Sequence, residues 1–318
     1  MIILVTGGAG FIGSHFIRYL IRKYPAYRII NLDKLTYAAN LKNLSEVEDN
    51  PRYKFIKADI ADYKTAEKII KNADVLVNFA ASTHVDISIK NPVEFIQTNI
   101  YGTYILLELA KKYKIKRFVQ ISTDEVYGSI KKGFADEETK LNPTNPYSAS
   151  KASADHLARA YFSTYGLDIV ITRSSNNFGP NQYPEKIIPL FITNALKNKP
   201  LPVYAKGLNR RDWLFVLDNC RAIDLVMHKG KKGQIYNISA KNELSNIQLC
   251  RIILKKLNRP FSLIKYVADR PGHDFRYAME TKKISALGWK PKYNFLEALE
   301  MTIAWHKAHP DYWYGDRI

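Results

Sequence analysis

Short apolar runs alternate with amphipathic segments through the first half of the chain. The apolar runs have the length of buried strands, and the segments between them repeat their apolar positions at helical spacing. The predicted strands are "MIILVT", "YRIINLD", "YKFIKAD", "DVLVNFA" and "RFVQIS", and two of the predicted helices are "SHFIRYLIRKY" and "YKTAEKIIKNA". Strands that alternate with helices indicate βαβ units and a parallel sheet covered on both faces. We therefore predict an α/β fold of the Rossmann type, with a doubly wound parallel sheet.

The segment "NPYSASKASADHLARAYFSTYG" is predicted to form one long helix, followed by the buried strand "LDIVITR". Asn145 is a suitable N-cap, Pro146 suits the first helical position, and Gly166 is a typical C-terminal stop. Another long helical segment is predicted between Pro92 and Tyr113.

The pattern changes near Phe178, where prolines, short strands such as "LPVYA" and "QIYNIS", and isolated helices replace the regular alternation. We predict that residues 1–178 form the main Rossmann domain. Residues 179–318 are predicted to form mainly a smaller mixed region, with some elements that return to the main sheet.

Composition is that of an ordinary globular protein, because 46% of the 318 residues are hydrophobic and 25% are charged. The formal net charge of +18 is compatible with binding to nucleic acid, to an anionic membrane or to an anionic small substrate. The basic residues are spread as short groups such as "KKYKIKR" and "HKGKKG". Spread charge is more typical of a solvated surface, so we expect no nucleic-acid and no membrane partner.

No apolar run approaches the roughly 20 residues that span a bilayer. The first residues, "MIILVTGG", have neither a basic region nor a small-residue cleavage site. Cys220 and Cys250 are too few for a disulfide framework and lack metal-ligand spacing. We therefore expect a cytoplasmic protein with buried free thiols and no metal.

Four glycines, Gly7, Gly8, Gly10 and Gly13, lie between the first predicted strand and its helix. Gly8, Gly10 and Gly13 have the G-x-G-x-x-G spacing, and Gly7, Gly10 and Gly13 the related G-x-x-G-x-x-G spacing. Such glycines make a tight turn, admit a pyrophosphate close to the backbone and let helix and strand pack closely. The motif predicts a dinucleotide site.

Asp33 ends the second predicted strand, where a carboxylate can accept a hydrogen bond from a ribose 2′-hydroxyl and repel a 2′-phosphate. It therefore favours NAD over NADP, although Lys34 follows directly. Asp59, after the third strand, could reach the adenine side or cap a helix, and the sequence leaves both open.

Tyr147 and Lys151 lie four residues apart on the long predicted helix and so share a face. An ammonium and a positive nicotinamide would favour the tyrosine phenolate, whose ordinary pKa is about 10, and make it a base. In "STDEVYG", Asp124 and Glu125 follow a strand. Adjacent residues on a regular strand point to opposite faces, so the pair needs another explanation than strand packing.

The glycine turn, Tyr147 with Lys151, and Ser122 with Thr123 resemble the extended short-chain dehydrogenase/reductase superfamily, which acts largely on nucleotide sugars. From Met1 to about Trp289 the chain closely resembles the dTDP-glucose 4,6-dehydratases, in "DKLTYAAN", "STDEVYG", "NPYSASKASADHL", "SSNNFGPNQYPEKIIPLFI", "RRDWLFVLDN" and "DRPGHDFRYA". Related epimerases and decarboxylases share the cofactor motifs and the tyrosine–lysine pair. The two adjacent acids distinguish the dehydratases.

This resemblance implies that tightly bound NAD oxidises C4 of dTDP-glucose, that water is lost across C5 and C6, and that hydride returns to C6. The product would be dTDP-4-keto-6-deoxyglucose. The resemblance assigns Tyr147, assisted by Lys151, as base for the 4-hydroxyl and Thr123 as the residue that holds the 4-oxygen. Glu125 would be the C5 base and Asp124 the C6 acid, because carboxyls in different environments can divide such roles.

The same resemblance implies two sets of binding residues. The NAD set comprises Gly7, Gly10, Phe11, Ile12, Gly13, Asp33, Lys34, Leu35, Thr36, Asp59, Ile60, Ala80, Ala81, Ser82, Thr98, Tyr147, Lys151 and Asn177. The nucleotide-sugar set comprises Thr83, His84, Thr123, Asn176, Lys186, Ile187, Ile188, Pro189, Leu190, Pro202, Val203, Tyr204, Arg211, Asn246, Asp269, Arg270 and His273. Within it, the arginines suit a diphosphate, and residues 202–204 would contact thymine.

The chain departs from the family pattern at Ser82, Thr83 and Ile87, where the family commonly has glutamate, serine and arginine, and Phe178 stands where tyrosine is frequent. The resemblance also implies a homodimer, formed through the helix that carries Tyr147 and the helical segment before it. Two alternatives stay open. One is a dehydratase, epimerase or decarboxylase for another nucleotide sugar such as UDP-glucose, and the other is a cofactor sensor or nucleic-acid-binding protein on the same scaffold.

Overall fold

The structure, a computed structural model, describes residues 1–313. Its strands are β1 (Ile2–Thr6), β2 (Arg28–Asp33), β3 (Tyr53–Lys57), β4 (Val75–Asn78), β5 (Arg117–Thr123), β6 (Ile169–Ser174), β7 (Asn176–Phe178), β8 (Leu201–Tyr204), β9 (Arg210–Phe215), β10 (Ile235–Ile238), β11 (Glu243–Ser245) and β12 (Ile264–Val267). Seven of them form one sheet in the order β10-β6-β5-β4-β1-β2-β3, and every neighbouring pair is parallel. This confirms the predicted doubly wound Rossmann-type sheet.

The α-helices are α1 (Phe11–Lys23), α2 (Tyr63–Ile70), α3 (Val85–Lys90), α4 (Val93–Phe95), α5 (Thr103–Lys112), α6 (Pro146–Tyr165), α7 (Ile187–Leu196), α8 (Val216–Lys229), α9 (Asn246–Lys256), α10 (Lys282–Ala286) and α11 (Phe295–Ala308). Short 3₁₀ turns cover Leu41–Leu44, Asp124–Tyr127 and Phe261–Leu263. Within residues 1–313, no helix has the length and apolarity needed to cross a membrane.

Both faces of the central sheet are buried, and β1 shows how. Ile3 and Val5 pack in one apolar cluster with residues of α1 and α8, whereas Leu4 packs in a second cluster with α2, α5 and α6. Because successive strand residues point to opposite faces, a strand covered on both sides is apolar at most of its positions. The continuous apolar runs in the sequence have this cause.

Helix α6 begins and ends where the sequence predicts. The Asn145 side chain accepts a hydrogen bond from the Ser148 amide and completes a reciprocal capping box, and Pro146 is the first helical residue. Gly166 adopts the left-handed conformation, with φ at 69°, and terminates the helix.

The predicted helical segment between Pro92 and Tyr113 is irregular. A π-helix, Ile96–Gly102, separates α4 from α5. Asn99 in the π-helix is buried, accepts from the Ser82 amide, donates to the Ser82 carbonyl oxygen and donates to Ser150 Oγ. The wide turn thereby joins the loop after β4 to helix α6.

The two regions that we predict, 1–178 and 179–318, exchange strands. From the second region, β10 pairs with β6 at the edge of the main sheet. In the opposite direction, β7 pairs with β9 in a three-stranded sheet, β11-β9-β7. A separate pair, β12-β8, completes the smaller region. Cys220 and Cys250 lie on α8 and α9 as free, buried thiols.

Candidate active site

The glycine turn between β1 and α1 has the close packing that a dinucleotide site requires. Gly7 has φ at 69°, a conformation that side-chain-bearing residues rarely adopt. A Cβ on Gly13 would lie 2.4 Å from the Gly7 carbonyl oxygen, and one on Gly8 would lie 2.2 Å from Asn31 Oδ1. Helix α1 begins at Phe11, so its unpaired amides face the cleft above the turn. The chain fits a bound pyrophosphate here.

Asp33, the last residue of β2, is held rigidly at the cleft. Its Oδ2 accepts from the Ala9 amide at 2.9 Å and its Oδ1 from the Leu35 amide at 2.8 Å. Burial raises the pKa of Asp33, and these two amides oppose the rise. Leu35 itself does not line the cleft, and its main-chain amide holds Asp33 in place.

The cation that follows Asp33 already has an acidic partner. Lys34 Nζ lies 2.8 Å from Asp59 Oδ2. Asp59 is not the helix cap that the sequence left open, because Asp62 caps α2, and Asp59 instead accepts from the Ala61 amide. A ribose hydroxyl therefore suits this end of the cleft better than a 2′-phosphate.

All the predicted cofactor residues except Leu35 line one cleft along the carboxyl ends of the central strands. They are Gly7, Gly10, Phe11, Ile12, Gly13, Asp33, Lys34, Thr36, Asp59, Ile60, Ala80, Ala81, Ser82, Thr98, Tyr147, Lys151 and Asn177. Ligands of doubly wound folds bind at such strand ends.

A second cleft adjoins the first. Of the predicted nucleotide-sugar residues, it is lined by Thr83, His84, Asn176, Lys186, Ile187, Leu190, Pro202, Val203, Tyr204, Arg211, Asn246, Arg270 and His273, while Thr123 lines the cofactor cleft. Thr83, Glu125, Asn176, Glu185 and Lys186 line both. The reacting atoms of a sugar would therefore meet a cofactor at this junction.

Three predicted substrate residues do not line either cleft. Ile188 and Pro189 are buried and do not line the cleft, because the side of α7 that faces it presents Ile187, Leu190 and Phe191, which are three and four residues apart. Asp269 acts one step away, where its Oδ1 lies 2.6 Å from His273 Nδ1 and fixes that ring.

Asp124 and Glu125 do not point to opposite faces of a strand, because β5 ends at Thr123 and a 3₁₀ turn, Asp124–Tyr127, follows it. Thr123 Oγ1 accepts from the Glu125 amide at 3.3 Å and donates to Asp124 Oδ1 at 3.1 Å. Both carboxyls line the cofactor cleft, and Glu125 also lines the second cleft.

The two carboxyls have different surroundings. Asp124 is 3% exposed, and burial, together with the neighbouring Glu125, raises its pKa well above the usual range. Burial also raises the pKa of Glu125, but the positive charges of Arg211, Lys186 and Arg270 oppose that rise. Asp124 is therefore the better proton donor and Glu125 the better base.

Tyr147 and Lys151 project from one face of α6 toward the same junction. Lys151 Nζ donates to the Ile121 carbonyl oxygen at 2.6 Å, and burial lowers its pKa to about 8 against the opposing charge of Asp155. Burial raises the pKa of Tyr147, and the charges of Glu125 and Asp124 raise it further. Nearby positive charge is needed to make this phenol a base.

A buried polar network supports Lys151 from behind. Asp155, one helical turn further along α6, accepts from Ser122 Oγ at 3.0 Å and from Arg173 Nε at 2.9 Å. Arg173 and Asp155 are 1% and 0% exposed, and Arg173 also donates to the Tyr127 hydroxyl. The sequence does not reveal this network, because its members come from β5, α6 and β6.

Sequence reasoning also missed Glu185, Asp274 and Tyr277. Glu185 lines both clefts, accepts from the Tyr37 hydroxyl at 3.0 Å and lies 3.7 Å from His84 Nε2. Tyr277 lies near Glu125 and Asp274. Glu185 precedes the predicted Lys186 and could have been included on that ground, but the other two have no local signal.

Comparison with known proteins agrees with this geometry. The family profile described as GDP-mannose 4,6 dehydratase matches residues 4–302. The chain belongs to this family. Among the relatives of this chain, a dTDP-glucose 4,6-dehydratase of Streptomyces niveus is 47% identical over 318 residues, covering 98% of this chain and 95% of that protein. A trifunctional UDP-glucose 4,6-dehydratase, epimerase and reductase of Arabidopsis thaliana is 45% identical over 321 residues, covering 99% of this chain and 48% of that protein.

The family member is also similar to solved structures over nearly its whole length. DesIV, a dTDP-glucose 4,6-dehydratase from Streptomyces venezuelae crystallised with NAD and dTDP, is 46% identical and superposes with a TM-score of 0.97, covering 99% of each chain.

Proposed function

We propose that this protein is a dTDP-glucose 4,6-dehydratase that uses tightly bound NAD. The observation that carries the proposal is the Asp124–Glu125 pair on a 3₁₀ turn at the junction of the two clefts, beside Tyr147. A simple oxidoreductase needs only one base, whereas removal of water needs a second base and a proton donor. The names of the Streptomyces relatives support the same activity.

The first half of the reaction needs Tyr147, Lys151 and Thr123. NAD, when held above the glycine turn, supplies the hydride acceptor for C4 and later the hydride for C6. Tyr147 takes the proton of the 4-hydroxyl, and Thr123 holds the 4-oxygen. The ammonium of Lys151 lies on the same helical face and favours the charged form of the tyrosine.

The second half needs the two acids. A ketone at C4 acidifies the hydrogen at C5, which Glu125 removes as a proton. Asp124 gives its proton to the C6 hydroxyl, which leaves as water. The higher pKa of Asp124 and the cations around Glu125 fit this division of roles. Hydride then reaches C6 and a proton returns to C5, so the cofactor regains its starting state in each turnover.

The second cleft suits an anionic nucleotide sugar. Arg211, Arg270 and Lys186 bring three positive charges to it, and guanidinium groups bind phosphate oxygens through paired hydrogen bonds. Arg270 Nε is buried and has no partner within the described chain, as expected of a group that awaits a ligand. The strand β8, with Tyr204, forms a wall against which a pyrimidine base can lie.

Ser82 and Thr83, which replace the family's usual glutamate and serine after β4, are compatible with this proposal. The Asn99 side chain holds the Ser82 main chain in place, because it accepts from the Ser82 amide and donates to the Ser82 carbonyl oxygen. Thr83 lines both clefts and retains a hydroxyl, and its carbonyl oxygen accepts from Lys186 Nζ at 2.9 Å.

A uridine-linked sugar is the second candidate substrate, because the Arabidopsis relative carries UDP-glucose in its name. One methyl group distinguishes thymine from uracil, and a pocket gains only about 1–3 kcal/mol from such a group. Competition between dTDP-glucose and UDP-glucose, compared as kcat/KM, decides between the two substrates.

Substrate labelled with deuterium at C4 tests the proposed reaction. The product should have lost one water, should carry the deuterium at C6, and should form without net accumulation of NADH. Deuterium that remains at C4, or a product that retains the oxygen at C6, would refute the dehydratase. An epimerase would return the label to C4 without loss of water.

We also propose a homodimer in the cytoplasm, with residues 1–178 mainly holding NAD and residues 179–318 mainly holding the sugar nucleotide. Tyr101, Tyr104 and Tyr165 are exposed on the π-helix, α5 and the end of α6, where the pairing helices would meet. Free thiols at Cys220 and Cys250 suit a reducing compartment.

A further inference from the structure

Behind Glu125, a row of hydroxyl and carboxyl groups leads away from the active site. The Tyr277 hydroxyl lies 3.4 Å from Glu125 Oε2 and 2.8 Å from Asp274 Oδ2. The same Asp274 oxygen accepts from Thr144 Oγ1 at 2.7 Å. Tyr277 and Asp274 are 2% and 4% exposed, whereas Thr144 is exposed to solvent. The row therefore connects the proposed base with the surface.

The groups in this row can pass a proton in either direction. A phenol hydroxyl donates one hydrogen bond and accepts others, so Tyr277 can accept from a protonated Glu125 while it donates to Asp274. The guanidinium of Arg211 packs over the Tyr277 ring, 4.2 Å from its centre, and holds the ring between the two carboxyls. Burial, and the charge of Glu125, raise the pKa of Tyr277 well above its usual range, so it stays a neutral phenol.

On its cleft side, the Glu125 carboxyl is poorly placed to exchange a proton with water during the reaction. Glu125 lines both clefts, and a nucleotide sugar and a dinucleotide would occupy them. Asp124, its neighbour, is buried. A proton taken from the substrate therefore needs a rear route if it is to reach solvent before the hydride returns.

We propose that Tyr277 and Asp274 form a proton relay that exchanges the hydrogen taken from C5 with solvent. This rests on the proposed dehydratase function. The protonated Glu125 gives its proton to the Tyr277 oxygen, the Tyr277 hydroxyl gives its own proton to Asp274, and Asp274 gives one to water near Thr144. The reverse sequence brings a solvent proton to Glu125 and then to C5, so no group changes its charge over a turnover.

Turnover of unlabelled dTDP-glucose in deuterium oxide tests the relay. The wild-type product should carry deuterium at C5, because the base exchanges its proton before returning it. In Tyr277→Phe, the substrate hydrogen should stay on Glu125 and return to C5, so the C5 deuterium content of the product should fall severalfold. The readout is the isotope at one carbon, which a loss of packing alone would not change.

Two further variants make the test decisive. Asp274→Asn keeps the size of the side chain but cannot accept and pass on a proton in the same way, and it should also lower the C5 deuterium content. Tyr236→Phe is the matched control, since this buried hydroxyl accepts from the Lys231 amide and lies outside both clefts. It should leave the C5 deuterium content at the wild-type value. Bound NAD and the melting temperature report whether each variant is folded.

The outcomes separate the relay from the function on which it rests. If the wild-type enzyme releases no water from dTDP-glucose, the proposed function is wrong. If the enzyme turns over but its product contains no C5 deuterium, or if Tyr277→Phe and Asp274→Asn both retain the wild-type deuterium content, the relay is wrong and the dehydratase stands.

Discussion

The Lys151 ammonium donates a hydrogen bond to the main-chain oxygen of Ile121, 2.6 Å away, and so joins the face of α6 that carries Tyr147 to the end of β5. Two residues beyond Ile121, the strand ends at Thr123 and the acidic turn begins. The bond therefore sets the distance between the proposed C4 base and the proposed C5 base.

Lys151→Met should abolish most activity, because it removes both the positive charge near Tyr147 and the bond between α6 and β5. We expect kcat to fall about 10²–10⁴-fold, the range typical of lost acid–base catalysis. Tyr147→Phe should give a similar loss. Lys140→Met, at an exposed position, is the matched control and should keep wild-type kcat. Steady-state kinetics on folded, NAD-containing protein measure all three, and a near-normal kcat in Lys151→Met would contradict the assignment.

The pH dependence of kcat/KM should show a descending limb near pH 8. Burial lowers the pKa of Lys151 to about 8, so its ammonium is present below that pH and is lost as the pH rises through it. The charge of Asp155 opposes the burial effect, so Asp155→Asn should move the limb to lower pH. Initial rates across a pH series test this, and a limb at unchanged pH would argue against coupling between the two residues.

Asp155→Asn should also destabilise the fold far more than Asp168→Asn. The first leaves Arg173, 1% exposed, without its carboxylate, and breaking such a buried pair costs about 3–5 kcal/mol. The second breaks the partly exposed pair of Arg117 with Asp168, which is worth about 1 kcal/mol or less. Denaturant unfolding of both variants measures the loss in free energy of unfolding. Equal losses would show that the buried pair stabilises the fold no more than the partly exposed pair.

The two acids should fail at different steps. Glu125→Gln should still oxidise C4, visible as bound NADH absorbance, but should leave the hydrogen at C5 in place. Asp124→Asn should oxidise C4 and exchange the C5 hydrogen, yet release little water. Rapid-quench mass spectrometry in deuterium oxide distinguishes these products. Loss of the NADH signal in both variants would mean that the acids act in the first step as well.

Asp33→Asn should weaken NAD binding and reduce the preference for NAD over NADP. Hydrogen bonds to a charged group contribute about 1.5–3 kcal/mol, which corresponds to roughly ten- to hundredfold in affinity. Lys34 stays paired with Asp59, so the gain in NADP binding should be small. Asp62→Asn, at the cap of α2 outside the cleft, is the control. Titration calorimetry with both cofactors on stripped protein measures the two affinities.

Features that depend on short stretches of chain were predictable from the sequence. The strands of the main sheet, the limits of α6 and the glycine turn each have a local physical cause, such as an apolar run, a cap or a close contact. Most predicted cofactor residues line one cleft for the same reason, since they follow strands whose carboxyl ends meet at one edge.

Features that depend on distant contacts were not predictable. Tyr277 contacts Glu125 although 152 residues separate them in the sequence, and the sequence around either residue does not indicate this contact. In the π-helix at Ile96–Gly102, Asn99 forms hydrogen bonds with both Ser82 and Ser150, an arrangement that helical periodicity in the sequence does not indicate. The helical turn explains why Ile188 and Pro189 do not line the cleft, because one face of a helix presents only every third or fourth residue to a ligand.

Glu125 and Lys186 belong to the walls of both clefts. We therefore expect a sugar nucleotide seated in one cleft to cover the inner end of the other and to hinder release of the cofactor while it is bound. Because each turnover restores the cofactor, it has no need to leave between turnovers either. We expect NAD to behave as a prosthetic group that survives dialysis, so that the order of events at the site reduces to the arrival of one sugar nucleotide and the departure of another.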